Sequence, residues 1–307
     1  MSFRRGQLEY FVAVAEEGQM TRAARRLHIA QPALSQAIGQ LEGELGVKLL
    51  ERHPRGVTLT AAGRTFYEKA RLAVAASDQA VHTARSLARA QQGTIEFGFV
   101  GAAPGLDSPE QLQAFSRAYP DIDIRYTELP FPGSDTAMWL GGVDVAVCHA
   151  PPAHPEVWSH VLRHEPRVLL VPRRHRLAQR KELLVQDVLE ETFIHLHPSV
   201  DSGWAGFWSL DDHRGRPPAN VTSDRACNPQ EVLAALAVRD GVTSVPASVA
   251  AVVVGAVTEL AAVPVRDAAP TRIALVGHRR ERNPLVSSLA AFAGVSAVED
   301  GPGPQTR

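Results

Sequence analysis

Residues 20–42 read Met20-Thr21-Arg22-Ala23-Ala24-Arg25-Arg26-Leu27-His28-Ile29-Ala30-Gln31-Pro32-Ala33-Leu34-Ser35-Gln36-Ala37-Ile38-Gly39-Gln40-Leu41-Glu42. Their spacing predicts two short helices joined by a tight turn. Upstream, Leu8, Phe11, Val12 and Ala15 recur at helical spacing and make one apolar face, which Gly18 can end. Thr21 is the expected N-cap of the second helix. Ala23 and Ala24 are small enough for another helix to pack closely, and Leu27 fills the core. The turn is His28-Ile29-Ala30. Pro32 falls in the first turn of the third helix, where its missing N–H costs little. Leu34, Ile38, Leu41 and Leu45 line one face of that helix, and Gly46 ends it. Two helices so joined form a helix-turn-helix unit, whose second helix enters the major groove of DNA. The start of that helix offers Gln31, Ser35 and Gln36 to base edges. Gln can bond adenine through two hydrogen bonds, whereas Ser is less selective. Thr21, Pro32 and Ala33 complete the expected DNA-facing set on the helices.

Beyond Gly46, two short apolar runs flank His53-Pro54-Arg55-Gly56 and predict a hairpin. It carries Arg52 and Arg55, cations suited to phosphate or minor-groove contact. Ala61 to Ala90 then reads as one long helix capped by Thr60, with no Pro and no Gly after Gly63. Phe66, Ala70, Ala73, Ser77, Ala80, Ala84 and Leu87 recur at near-heptad spacing. A small head cannot bury so long a stripe, which predicts pairing with a second copy. Gln91-Gln92-Gly93 ends the helix.

These residues resemble the DNA-binding end of the LysR-type transcriptional regulators. The resemblance covers residues 1 to about 90 and rests on five motifs in register. They are Phe11-x-x-Val14-Ala15-Glu16-x-Gly18, Ala23-Ala24-x-x-Leu27, Gln31-Pro32-Ala33-Leu34-Ser35, Ile38-x-x-Leu41-Glu42-x-x-Leu45-Gly46 and Leu59-Thr60-x-Ala62-Gly63. It implies a winged helix-turn-helix, a dimerising linker helix and a two-lobed effector domain. It also implies a homodimer or tetramer on double-stranded DNA, a small-molecule effector and contact with RNA polymerase. This chain departs from the family pattern in places. Ala30 stands where Ser or Thr usually caps the recognition helix, a loss of about 1 kcal/mol. Gln36, Gly39 and Gln40 replace common basic residues, and Leu50 replaces a usual Phe. Fewer cations predict fewer phosphate contacts and a shallower salt dependence.

The net charge of −1 conceals an asymmetry. Residues 1–92 hold 13 of the 32 Lys and Arg but only 8 of the 33 Asp and Glu. A basic head on an acidic body fits a DNA reader joined to something that does not touch DNA. No apolar run approaches bilayer length, and Met1–Gly6 lacks the apolar segment of a signal peptide. No membrane partner is expected, and the cytoplasm is the expected location. Two cysteines, Cys148 and Cys227, cannot make a disulfide framework. Cys148 reads as core and Cys227 as a position that could be exposed.

From Thr94 the pattern changes to alternating strands and helices, which predicts parallel sheets covered by helices. Strands are expected at Ile95–Phe99, Ile122–Tyr126, Val143–Val147, Arg167–Val171, Phe193–Leu196, Val242–Val245 and Arg272–Val276. Helices are expected around Leu112 and Phe115, at Glu231–Val238 and at Leu285–Phe292. Thr94-Ile95-x-Phe97-Gly98, Phe115-x-x-x-Tyr119-Pro120, Asp144-Val145-Ala146-Val147 and Gly241-Val242-x-x-Val245-Pro246 follow the order of the LysR-type effector domain. The expected fold class is α/β. An N-terminal winged helix-turn-helix (1–60) with a long linker helix (61–92) precedes a two-lobed Rossmann-like, periplasmic-binding-protein-like effector domain (93–300). Lobe 1 takes about 93–150 and 267–300, and lobe 2 about 156–266. The Pro-rich 150–155 stretch passes between them, and 301–307 is expected to be a disordered tail.

Ligands of open α/β sheets bind beyond the carboxyl ends of strands and between lobes. This selects Ala102, Ala103 and Glu128 from the first lobe, and His197, Ser199, Val200 and Thr243 from the second. Family members often hold a carboxylate with Ser or Thr in the loop where this chain has Ala102-Ala103, so a more apolar ligand, or none, is expected. Cys148, His149, His154, His160 and His164 match no common metal spacing and read as a solvated, His-rich crossover. No cofactor is expected. Hydrolase, phosphate-loop and zinc-protease motifs are absent, and nothing supports an enzyme. Two other readings stay open: a small-molecule-binding protein or enzyme with a dimerisation head, and a repressor without an effector.

Overall fold

The structure is a computed structural model that describes residues 5–54, 56–101, 109–133, 139–151, 153–279 and 283–294. Arg55, Ala102, Ala103 and the 301–307 tail lie outside the described residues. The chain divides into two compact units between Val81 and His82.

The first unit opens with α1 (Arg5–Glu17), α2 (Met20–Arg26) and α3 (Gln31–Leu45). A hairpin of β1 (Leu50–His53) and β2 (Gly56–Leu59) follows, and then α4 (Ala61–Gln91), which runs on into the second unit. Gly18 and Gly46 end α1 and α3 in left-handed conformations that cost glycine little. Phe11, Val14, Ala23, Leu34, Ile38, Leu41 and Leu49 form the core. Each of the larger side chains contributes roughly 1.5–3 kcal/mol on burial. Ala70 and Val74 of α4 belong to the same core, and Phe66 meets Phe11 edge-on at 5.1 Å. The start of the linker helix is therefore part of the head. Gly63 must lack a side chain, because a Cβ there would collide with the Leu49 carbonyl oxygen.

In the second unit, β3 (Thr94–Val100), α5 (Pro109–Ala118), β4 (Asp123–Leu129), β5 (Val145–His149) and β6 (Val157–Glu165) come first. Then follow β7 (Arg167–Pro172), α6 (Ser202–Trp208), α7 (Asp211–Arg214), α8 (Pro229–Val238) and β8 (Thr243–Pro246). The unit closes with α9 (Ala247–Ala256), β9 (Leu260–Pro264), β10 (Thr271–His278) and α10 (Leu285–Phe292). The first lobe is a five-stranded sheet in the order β4-β3-β5-β10-β6, and the second a three-stranded sheet in the order β8-β7-β9.

The two-residue period of a strand sorts side chains between sheet faces. Val145, Val147, Ile273 and Leu275 pack with Phe97, Phe115 and Leu289, while Ala146, Cys148, Ala274 and Val276 pack with Trp139 and Leu140. In the second lobe Leu169 and Val171 join Phe193 and Val263, and Val168 and Leu170 join Leu236, Ala250 and Val253.

Four expectations need correction. The sheets are not parallel throughout: β10 runs antiparallel to β5 and β6, and β7 antiparallel to β8 and β9. Phe193–Leu196 makes only isolated bridges, to Val221, Val242 and Ala226. The stretch from 156 does not open the second lobe, because β6 pairs with β10 along its whole length and the chain crosses at Pro166. Consequently His160 and His164 lie on a strand, not in a solvated crossover, and His149 is buried at the end of β5.

Two buried charges anchor the second unit. Asp144, fully buried, accepts from Arg89 Nε at 2.9 Å, from the Glu96 N–H at 2.8 Å and from Asn283 Nδ2 at 3.1 Å. Arg167, also fully buried, sits where the chain first crosses between lobes. It donates to Asp212, to the Phe207 carbonyl and, through Nε at 2.7 Å, to the Ala269 carbonyl where the chain returns. A buried ion keeps its charge only when paired and hydrogen-bonded in this way.

Candidate functional site

In the head, α3 begins at Gln31 with Pro32 in its first turn. Ala30 takes the extended backbone of an N-cap, but no side chain caps the helix. Gln31, Pro32, Ala33 and Gln36 are exposed, and Ser35 is half-buried. The hairpin folds back on this helix, so that Arg52 Nη2 donates to Ser35 Oγ at 3.0 Å. A cation and a hydroxyl of α3, far apart in sequence, thus share one face. The hairpin is held by the Val57 N–H, which donates to the Gly18 carbonyl at 2.8 Å. Gly56 lies against the same carbonyl, where no Cβ would fit.

Thr21 is not a cap. The helix already starts at Met20, whose burial in the core draws the first turn one residue earlier, and Gln19 precedes it without a capping side chain. Thr60 does cap α4: its Oγ1 accepts from the Gly63 N–H at 2.8 Å. Glu42, only 8 % exposed, accepts from the backbone N–H groups of Leu49 (2.9 Å) and Leu50 (3.1 Å) and from Lys48 Nζ (2.7 Å). Burial alone would raise its pKa, but the Lys48 hydrogen bond and the two backbone donors outweigh it and hold the carboxyl below its ordinary value. Glu42 therefore links the recognition helix to the root of the hairpin.

The basic excess of the head is partly spent internally. Arg22 pairs with Glu17 at 2.9 Å and Arg26 with Glu16 at 2.6 Å. Arg5 bonds Glu9 and Asp78. Arg25, which the sequence reading passed over, is exposed and makes no ion pair among the described residues.

In the second unit a cavity of 360 Å³ opens between the two lobes. The first lobe supplies Val100, Glu128, Phe131 and His149; the second supplies Leu170, Trp204, Trp208, Leu233, Thr243 and Val249 among others. Of the expected effector residues, Glu128 and Thr243 line it. His197, Ser199 and Val200 do not: His197 Nδ1 and Ser199 Oγ lie 2.8 Å apart, and the Val200 N–H closes a turn onto the His197 carbonyl. Val200 packs instead with Trp204 and Trp208. The aromatic wall went unread because α6, which carries both indoles, gives only a short periodic signal. The lead was its Trp204-Ala-Gly-Phe207-Trp208 run after Asp201, whose carboxylate accepts from the Trp204 N–H at 2.7 Å as a cap.

Burial pushes the His149 imidazole down to about 4 against a weaker opposing influence of Glu165. Cys148 is buried and its thiol is pushed up by that burial; Cys227 is half-buried and also pushed up, chiefly by burial and then by Glu231. Neither resembles an activated thiolate. Among the described residues no group of His, Cys, Asp or Glu is placed to hold a metal ion, and no helix is long and apolar enough to cross a membrane.

A helix-turn-helix with a hairpin wing in one unit, and two lobes enclosing a ligand-sized cavity in the other, define a DNA-binding transcriptional regulator with an effector domain. Comparison with known proteins agrees. Residues 6–64 match the family described as bacterial regulatory helix-turn-helix protein, lysR family, and residues 88–295 match the LysR substrate binding domain. HTH-type transcriptional regulator AlsR of Bacillus subtilis (strain 168) is 33% identical over 242 residues, 78% of this chain and 80% of that one. HTH-type transcriptional regulator BudR of Raoultella terrigena is 31% identical over 285 residues, 91% of this chain and 96% of that one. The crystal structure of full-length BenM is 30% identical and superposes with a TM-score of 0.50 over 95% of this chain and 96% of that one. The chain belongs to the LysR family of transcriptional regulators. It is a regulator and not an enzyme.

Proposed function

We propose that this regulator binds double-stranded DNA as a homodimer or a tetramer in the cytoplasm and alters its contact with RNA polymerase when a small molecule occupies the cavity between its lobes. Gln31, Ser35 and Gln36 read base edges, with Thr21, Pro32 and Ala33 beside them. Arg52 and Arg55 contact the backbone or minor groove. The observation that carries this reading is the Arg52–Ser35 hydrogen bond, which gathers a cation and the polar start of α3 on one face. Pairing is supported by the far part of α4. Ala73, Ala80, Ala84 and Leu87 of its heptad stripe are exposed within one chain, as is Leu72 beside them. Two paired heads suit two half-sites about one duplex turn apart. A ligand acts on such a molecule only through its different affinity for the open and closed lobes.

The test is a mobility-shift titration of the purified protein on DNA from its own upstream region, beside an unrelated fragment, at two salt concentrations. Preferential binding to its own region that survives moderate salt is the expected result. Arg52→Ala should weaken binding to both fragments and lower the salt slope by about one. Equal, salt-labile binding to both fragments would remove the claim of sequence reading.

A further inference from the structure

We propose, resting on the cavity as the effector site, that its ligand is a neutral and largely apolar molecule gripped at one polar group by the His149 ring, and that carboxylates are excluded. Phe131, Trp204 and Trp208 form an aromatic wall, with centroids 4.9 Å apart for the first pair and 5.5 Å for the second. Leu170, Leu233 and Val249 close the other side. Such a surface takes a ring or an aliphatic body.

The polar groups decide the class. No Lys or Arg lines the cavity among the described residues, and residues 102–108 and 134–138 hold no Lys, Arg or His in sequence. The one carboxylate of the lining among the described residues, Glu128, is exposed at the rim, where Gln230 of the other lobe reaches it at 3.5 Å. An acid entering here would pass a like charge and then lie unpaired among apolar walls, which costs far more than its packing returns. An ammonium fares little better, because Glu128 stands in water at the mouth and not inside. The two lining hydroxyls are engaged: Ser244 Oγ donates to the Trp208 carbonyl at 2.8 Å, and Thr243 Oγ1 to the Ser244 carbonyl; Trp208 Nε1 is buried without a hydrogen-bond partner among the described residues and offers a single donor.

His149 is different. It is only 5 % exposed, it lines the cavity, and its ring makes no hydrogen bond among the described residues. Its backbone carbonyl is fixed by Trp204 Nε1 at 2.9 Å, so the ring is held in place across the lobes. Its lowered pKa keeps it neutral at ordinary pH. A neutral imidazole offers one N–H donor and one bare nitrogen acceptor. The complementary group both gives and accepts a hydrogen bond, as a phenol, an alcohol or an amide does.

The test uses the full-length protein and a matched series, para-ethylphenol, para-ethylbenzoate and para-ethylbenzylamine, read by displacement of the neutral fluorophore N-phenylnaphthylamine and by thermal shift. The expected order places the phenol first, with the benzoate and the amine at least about tenfold weaker. His149→Phe should keep the fluorophore and lose roughly three- to tenfold in phenol affinity, and His149→Gln, which retains a donor and an acceptor, should lose less. Leu233→Trp, which fills the cavity, should abolish binding of all. Benzoate binding as tight as phenol overturns the ligand class. Unchanged phenol affinity in a folded His149→Phe protein overturns the role of His149; if that variant does not fold, unchanged phenol affinity in a folded His149→Leu protein does so. If no compound or fluorophore binds a protein that still shifts DNA, the effector-site reading itself fails, with the class left out of account.

Discussion

Glu42 shows how much one side chain can hold. Its carboxylate is the acceptor for two consecutive backbone N–H groups at the entrance to β1. Removing it leaves both buried donors without a partner. Glu42→Ala should therefore cost about 3 kcal/mol, and hydrogen exchange at the Leu49 and Leu50 amides should rise in step. The same carboxyl makes the head acid-sensitive. Its folded pKa lies below the ordinary 4.5, so its contribution is full above that pH and disappears as pH falls through the lowered value. Glu42→Gln should flatten this limb of a stability–pH profile; an unchanged acid limb would place the sensitivity elsewhere. At this scale the sequence was half legible. Glu42 and Gly63 stand in motifs visible from the chain alone, but their reasons, a carboxylate under a hairpin and a glycine against the Leu49 carbonyl, are tertiary. Thr21 was misread because burial of Met20 outweighs cap preference.

Among the elements, those with a local signal were readable and those that depend on distant partners were not. The three head helices, the hairpin and α4 announce themselves by period, glycine stops and the Thr60 cap. In contrast β6 carries Ser159, His160, Arg163 and His164 on an edge strand with one wet face, and it looks like a loop until β10 pairs with it. Helix α9, an Ala–Val run without a capping side chain, has no clear helical period and is settled by packing onto β7 and β8. The cavity wall was legible only where a strand end pointed to it, at Glu128 and Thr243. Recognition helix α3 remains the plainest target for repair. Ala30 already has the extended backbone of a cap and lacks only the oxygen. Ala30→Ser should stabilise the head by about 1 kcal/mol, seen as a higher unfolding midpoint; no gain would mean that water already satisfies those N–H groups.

For the whole molecule, the basic-head and acidic-body asymmetry was plain in the chain, but its usable part is smaller than the count, since Arg5, Arg22 and Arg26 are committed to carboxylates. In the second unit, Arg167 ties both passages of chain between the lobes to one guanidinium. Arg167→Leu unpairs Asp212 and frees the Ala269 and Phe207 carbonyls. Asp212 is exposed and can turn to water, so the cost is that of the two carbonyls left without a donor, about 2–3 kcal/mol, measured as a lower denaturant midpoint for the second unit. A full-stability variant would show that the two crossings are held by packing alone. The strand order has a consequence in time. Strand β10 is made well after β5 and β6, yet it belongs between them in the first sheet. While the ribosome is still working toward Thr271, both of those neighbours wait with open edges, and open edges are what other chains add to. The first lobe cannot complete its sheet as it emerges; it must stay apart from its fellows until β10 arrives to close the gap.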